Sequence, residues 1–252
     1  IAPERPRKIS LAPERVDQLL AAASLVLLAF VLSAIFRVRG EWGDVPLMLT
    51  TVSSPAQASQ VTRTPAAQVF AQILADLENA RTLMSDEDQR LRASRPAALA
   101  LLARVNLYMG NWAQAEAWAD SVLAMDFELA PEYADLFDAT GEGTPEDILR
   151  VYFDATDYNN IGYYYHTRSE GGDGEVTISD DLIASFETGD ERAAHILATD
   201  DDDVVFSDKF PTTAGTEDLH VIRLAEVILI KAEAHAQQDE LDEAVDAYNQ
   251  VR

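Results

Sequence analysis

The stretch from Arg223 to Arg252, RLAEVILIKAEAHAQQDELDEAVDAYNQVR, constrains the fold more than any other. Its first half is apolar at helical spacing, with alanines that allow a second helix to come close. A polar turn at Gln237–Glu240 comes next, and then a second helical pattern. The same plan occurs earlier in SRPAALALLARVNLYMGNWAQAEAWADSVLAMD, which reads as two helices joined at Gly110–Asn111. Asp239 stands where Gly110 stands, Leu241 where Trp112 stands, and Ala244 where Ala115 stands. Two helical hairpins of this kind predict a mainly α fold, a tetratricopeptide-like helical-repeat scaffold with an irregular, loop-rich insertion between them.

The charges inside the terminal apolar run need an explanation, because an unpaired ion in a packed helix costs several kcal/mol. Arg223, Glu226 and Glu233 lie at i, i+3 and i+10, a spacing that faces one side of a helix. They predict an internal ion-pair network shared with Arg104 and Arg252 from neighbouring helices. No proton-transfer chemistry is needed to account for them.

Composition excludes several classes of function. The formal net charge is −25, which argues against a nucleic-acid partner, since binding phosphates needs a basic face. It argues equally against charge-driven docking on anionic lipid. The chain has no cysteine, so disulfides, thiolate metal sites and cysteine nucleophiles drop out. The four histidines, His166, His195, His220 and His235, show no metal-ligand spacing such as H-E-x-x-H. Neither DATDYNN nor the Asp200–Asp203 run has the spacing of a calcium loop. With no G-x-S-x-G and no phosphate loop, the sequence gives no reason to expect an enzyme, a cofactor or a bound metal.

Along the chain, residues 1–17 are rich in Pro and Arg and read as disordered or divergent. The uncharged stretch 18–36, QLLAAASLVLLAFVLSAIF, is long enough to cross a bilayer, but its Ala/Ser content favours a buried helix packed on all sides. Residues 18–126 then hold the first helices and hairpin. Within them Thr64 is placed to cap the helix of TPAAQVFAQILADLENA, with Pro65 in its first turn. Residues 127–218 form the irregular insertion, with ILRVYF as a short strand, NNIGYYYHTRSEGGDGEV as a Gly/Tyr-rich loop and ISDDLIASFE as a short helix. Residues 219–252 carry the second hairpin. Trp42 and Trp112 read as core residues, while Trp118 suits core or surface.

Taken in order, WGDVPL (Trp42–Leu47), TPAAQVFAQILADLENA, ALLARVNLYMGNWAQAEAWADSVL, DDLIASFETGDERAA with its Asp190–Arg192 pair, and the terminal hairpin resemble the SusD/RagB family. Those proteins are outer-membrane nutrient-binding lipoproteins that work with TonB-dependent, SusC-like transporters. The resemblance implies a surface-exposed outer-membrane protein that captures an oligosaccharide or other nutrient and delivers it to such a transporter. It also implies a structural role for the ion pairs. Family members continue past the N-x-V-R segment, so the resemblance further implies truncation at both ends, with the lipid-anchoring cysteine outside this chain. The helix before WGDVPL departs from the family pattern, in which arginines interrupt it.

Under that reading the best sugar-contacting segment is YNNIGYYYH, with Tyr158, Asn160, Tyr163, Tyr165 and His166. Aromatic faces stack on the C–H faces of sugar rings, and neighbouring amides bind hydroxyls. Tyrosines at alternate positions can instead pack on the helical core. The competing function is a tetratricopeptide-like scaffold for a protein partner, tethered to a membrane by residues 18–36.

Overall fold

The computed structural model describes residues 43–85, 90–137 and 143–252. The 1–17 segment, the apolar stretch 18–36 and Trp42 lie outside these. Among the described residues no helix is long and apolar enough to cross a membrane.

A short helix α1 (Pro55–Ala58) precedes the scaffold helices α2 (Ala66–Leu83), α3 (Arg95–Met109) and α4 (Trp112–Leu123). Ser94 caps α3 by accepting from the Ala97 amide, and a proline in the first turn fits where no N–H partner is needed. Alanines and leucines fill the middle of α3, so every position from Pro96 to Asn106 except Arg104 is buried and neighbours approach it from several sides. Gly110, at φ +76°, closes the helix in the left-handed conformation that favours glycine. Helix α4 then folds back and presents Ala115, Ala119 and Val122, all fully buried, at i, i+4 and i+7. Trp112 and Trp118 are half-buried against the same core, and the Arg81 guanidinium lies 5.1 Å over the Trp118 ring.

The cap of α2 differs from the sequence expectation. Pro65 occupies the N-cap position and makes no side-chain cap, and Thr64 forms a two-way backbone bridge with Val45. The carboxylate that serves the helix is Asp44, whose Oδ1 accepts from the Ala66 amide at 3.0 Å. The Gly-Asp-x-Pro turn therefore has a mechanical role. It holds the start of α2 from a position remote in sequence, with Gly43 at φ +61° setting the turn.

After α4 the chain leaves the scaffold through a 3₁₀ turn (Tyr133–Phe137), strand β1 (Asp147–Val151) and helices α5 (Ile161–Tyr165), α6 (Asp180–Ser185) and α7 (Glu191–Ile196). A small hairpin of β2 (Leu197–Thr199) and β3 (Val205–Ser207) comes next, then β4 (Leu219–Arg223). β4 pairs antiparallel with β1, from Asp147 opposite Arg223 to Val151 opposite Leu219, with an irregular register between. This ladder closes the excursion and delivers the chain directly into α8 (Leu224–Gln237), which packs on α4 and against α9 (Leu241–Val251). The order of packed helices is thus α2, α3, α4, α8, α9, a helical-repeat stack with one large excursion.

Ion pairs fix the place where the excursion returns. Arg104 Nε and Nη2 donate to Glu226 Oε1 and Oε2 at 2.5 and 2.6 Å, and Nη2 also donates to the Val221 carbonyl at 2.8 Å. One α3 side chain thereby holds both β4 and the first turn of α8. Lys231 on α8 pairs with Asp120 on α4 at 2.6 Å. The expected single network is not what forms, however. Arg223 ends β4 outside the helix, so helical spacing does not apply to it, and it pairs with the buried Glu146. Glu233 points to solvent, and Arg252 forms an exposed pair with Glu187.

Replacing Arg104 with Ala should lower the free energy of unfolding by about 2 kcal/mol, the cost of a charge-assisted, partly buried fork. Glu233→Ala should change it by less than about 0.5 kcal/mol. Equal losses in urea denaturation would contradict this allocation of the charges.

Candidate functional site

The insertion carries two features, a tyrosine-bearing turn and a polar cavity, linked by His166, which caps the turn and lines the cavity. Asn159 anchors the turn. It is buried, its Nδ2 donates to the Glu217 carbonyl at 2.8 Å and to that of Gly215 at 3.3 Å, and its Oδ1 accepts from the Ile161 amide at 2.9 Å. Residues 161–165, for which the sequence pattern predicts a loop, form the helical turn α5. A Cβ on Gly162 would stand 2.1 Å from the Thr212 carbonyl oxygen, so only glycine lets α5 press against residues 210–217.

The segment 167–176 then wraps back over the turn. Asp173 and Val176 amides donate to the Tyr163 and Tyr164 carbonyls, at 2.8 and 3.1 Å, and the Gly174 amide donates to that of His166 at 2.9 Å. Backbone bonding on this scale holds the tyrosines on a rigid support.

Tyr163 and Tyr164 are exposed and meet edge to face, with ring centroids 5.7 Å apart. Tyr158 and Asn160 are also exposed, whereas Tyr165 is half-buried. His166 turns the other way. It is buried, its Nε2 donates to the Phe210 carbonyl at 2.9 Å, and its ring lies 5.0 Å from that of Phe206. His166 is also the one residue of the five that lines the neighbouring cavity, of about 490 Å³, together with Glu170, Thr199, Phe206, Asp208 and Thr212. The five sequence-selected residues are therefore split between an exposed tyrosine surface and a cavity wall. Tyr164 was missed because the alternate-residue pattern passed over it. Of the remaining wall residues, Glu170 comes from the segment that wraps over α5, and the others come from β2, β3 and the loop after them, where no local motif marks them.

The aspartates of the insertion serve its turns. Asp154 Oδ1 accepts from the Thr156 and Asp157 amides. Asp200 accepts from the Ser169 hydroxyl and from the Val204 and Asp202 amides, which with Thr167 lower its pKa to about 2. Asp190 caps α7 through the Arg192 amide and clamps the Arg192 guanidinium, at 2.9 and 2.5 Å.

Beneath the insertion lies a buried polar cluster. Burial of Asp147 opposes its ionisation, but the His220 hydrogen bond and charge, the Thr144 amide and Arg150 outweigh it, so the carboxyl lies below the ordinary range. His220 Nδ1 reaches Asp147 at 2.5 Å and its Nε2 reaches the Leu136 carbonyl at 2.6 Å. Both ring nitrogens therefore face acceptor oxygens, one on β1 and one on the 3₁₀ turn. Arg150 pairs with Asp218 at 2.8 Å, and burial raises the Asp218 pKa against the pull of the Phe153 amide and of Arg150. The pairs bind β1 to β4 and to the 3₁₀ turn, so they read as the footing of the insertion.

The fold and this arrangement define a helical-repeat scaffold that displays a rigid, aromatic and polar surface on one excursion. Two family descriptions match the sequence, "Starch-binding associating with outer membrane" over residues 8–107 and "SusD family" over residues 206–252. Both matches are to SusD-type families, one over the first helices and one over the second hairpin. It is 29% identical over 143 residues to SusD-like protein P2 of Formosa agariphila, a match covering 54% of this chain and 28% of that protein. A SusD superfamily protein of Bacteroides vulgatus superposes with a TM-score of 0.80 at 21% identity, covering 96% of this chain and 59% of that one. A laminarin-binding SusD-like protein superposes with a TM-score of 0.73 at 20% identity, covering 96% and 65%. The chain thus spans less than two thirds of each of these relatives.

Asp147→Asn should cost about 3 kcal/mol near neutral pH, because it removes the buried carboxylate on which His220, the Thr144 amide and Arg150 converge. Since the folded pKa of Asp147 is lowered, its contribution is full above the ordinary carboxylate pKa and is lost as pH falls through the folded value. Asp218 titrates with the opposite sign and is present in both proteins. The gap between variant and parent should therefore shrink below about pH 4. A gap constant from pH 7 to pH 3 would show that the pair does not carry this stability.

Proposed function

We propose that this protein binds an oligosaccharide at the outer surface of the outer membrane and delivers it to a SusC-like TonB-dependent transporter. Residues 127–218 would be the binding insertion and the two helical hairpins its support. The observation that carries the reading is the exposed Tyr163–Tyr164 pair, braced by backbone hydrogen bonds next to the polar cavity wall of His166, Asp208 and Thr212. Aromatic faces would take the apolar faces of sugar rings, the carboxylate would accept from sugar hydroxyls, and the threonine hydroxyl could accept or donate. Binding of this kind makes and breaks no covalent bond, so the sugar is expected back unchanged. The match to the starch-binding family description and the laminarin-binding relative support the choice of a glycan.

A second reading has an observation of its own. Leu241, Val245 and Tyr248, spaced i, i+4 and i+7, leave an apolar stripe exposed on α9. Such a stripe suits a protein partner on the helical scaffold.

A glycan panel that includes starch and laminarin oligosaccharides distinguishes the two. Tyr163→Ala and Tyr164→Ala should each weaken the best ligand by about tenfold, roughly 1.4 kcal/mol, while Leu241→Asp leaves it unchanged. If no glycan binds, or if both tyrosine variants bind as the parent does, the glycan reading fails.

A further inference from the structure

Away from the insertion, three potential ligand atoms converge where α4 meets the turn between α8 and α9. Glu116, His235 and Glu240 each offer one, and all lie within 4.8 Å of one another. His235, at the C-terminal end of α8, is only 7% exposed. Its Nδ1 is 2.5 Å from Glu240 Oε2 and 4.0 Å from Glu116 Oε1. A single N–H cannot serve two carboxylates, and here it serves Glu240. Glu116 is held instead from its far oxygen, which accepts from Gln238 Nε2 at 2.7 Å.

The other hairpin provides an internal control. Asn106 and Asn111 occupy the places of His235 and Glu240, counted from the turn. Both turns use the same backbone bonds, with the Asn111 amide donating to the Asn106 carbonyl at 2.9 Å and the Glu240 amide to that of His235 at 3.0 Å. In the first hairpin a neutral contact, Asn111 Nδ2 to Asn106 Oδ1 at 3.1 Å, suffices beside that turn. The second hairpin has an imidazole and a carboxylate in those places, and α4 adds a second carboxylate. Closing the turn does not require that donor set.

We propose that Glu116, His235 and Glu240 form a binding site for a divalent transition-metal ion of the zinc type. One imidazole nitrogen and two carboxylate oxygens match the preference of such ions, whereas calcium takes oxygen ligands. Donors about 2.0–2.2 Å from a tetrahedral ion stand roughly 3.4 Å apart. The 2.5 and 4.0 Å separations from Nδ1 bracket that spacing, so relative to the imidazole each carboxylate oxygen stands within about 1 Å of it. The ion would displace the proton on Nδ1 and balance the two negative charges that now compete for it. Gln238 is the outer-shell residue that aims Glu116, and the exposed Glu240 leaves a route from solvent for the ion and a fourth, water ligand. Bound there, the metal would tie α4 to the α8–α9 turn one helical turn from the Lys231–Asp120 pair.

The test is calorimetric titration of the chelator-treated chain with Zn²⁺, with Ca²⁺ in parallel and Co²⁺ absorption as a report on coordination. One Zn²⁺ per chain should bind, raise the melting temperature and give visible Co²⁺ bands. His235→Asn and Glu240→Asn restore the residue types of the first hairpin and should keep the fold, and Glu116→Gln alters only a half-buried side chain. Each should weaken Zn²⁺ by at least about tenfold. The proposal is overturned if Zn²⁺ does not saturate, if Ca²⁺ binds as tightly, or if all three variants bind Zn²⁺ like the parent.

Discussion

Arg104 is the contact on which the architecture turns. The chain leaves the helical stack after α4 and must return so that α8 lands on α4, although residues 124–223 lie between them. Loop-closure entropy opposes that return. A bidentate fork to Glu226 together with a bond to the Val221 carbonyl fixes both the last strand of the excursion and the first turn of α8 from one side chain. The β1–β4 ladder and the Arg223–Glu146 pair act at the same junction. The core alone would not choose this geometry, because apolar contact is non-directional.

With the junction fixed, the remaining elements divide the labour. The alanine-rich faces of α3 and α4 let helices approach closely and form a core with few polar atoms. The insertion has little apolar surface to bury, so it is built from directional contacts. These are the Asn159 anchor, the amides that wrap the tyrosine turn, the Asp154 and Asp200 turns, and the buried Asp147–His220 and Arg150–Asp218 pairs. Rigidity obtained this way suits a surface that presents aromatic rings, since ordering them in advance lowers the cost of binding.

The two hairpins share a backbone plan and differ in what their turns hold. Around Gly110 the side chains are neutral amides. Around Asp239, a non-glycine residue at φ +64°, they are ionisable and face a carboxylate of α4. A repeat architecture permits this kind of divergence, because each turn is framed by the same main-chain bonds whatever its side chains do.

How much was legible in the sequence depended on the range of the interaction. Helical periodicity, small-residue spacing and the glycine stop were enough for α2, α3, α4, α8, α9 and β1, because those signals act within a few residues. Asp44 capping α2 could not be read locally, since a nearer Thr64 and Pro65 offered a plausible start. Neither could the helical turn at α5, which depends on Gly162 fitting beneath Thr212. The charges of the terminal helix showed that partners must exist, because burial of an unpaired ion is too costly. Which partners they were, Glu226 for Arg104 and Glu146 for Arg223, was decided only when β4 and α8 came to rest. The sequence by itself determined the helical stack and the presence of an aromatic insertion. Tertiary structure decided how the candidate site divides between exposed tyrosines and the His166 cavity wall, because residues from separate strands and loops meet there through long-range contacts that leave no local pattern.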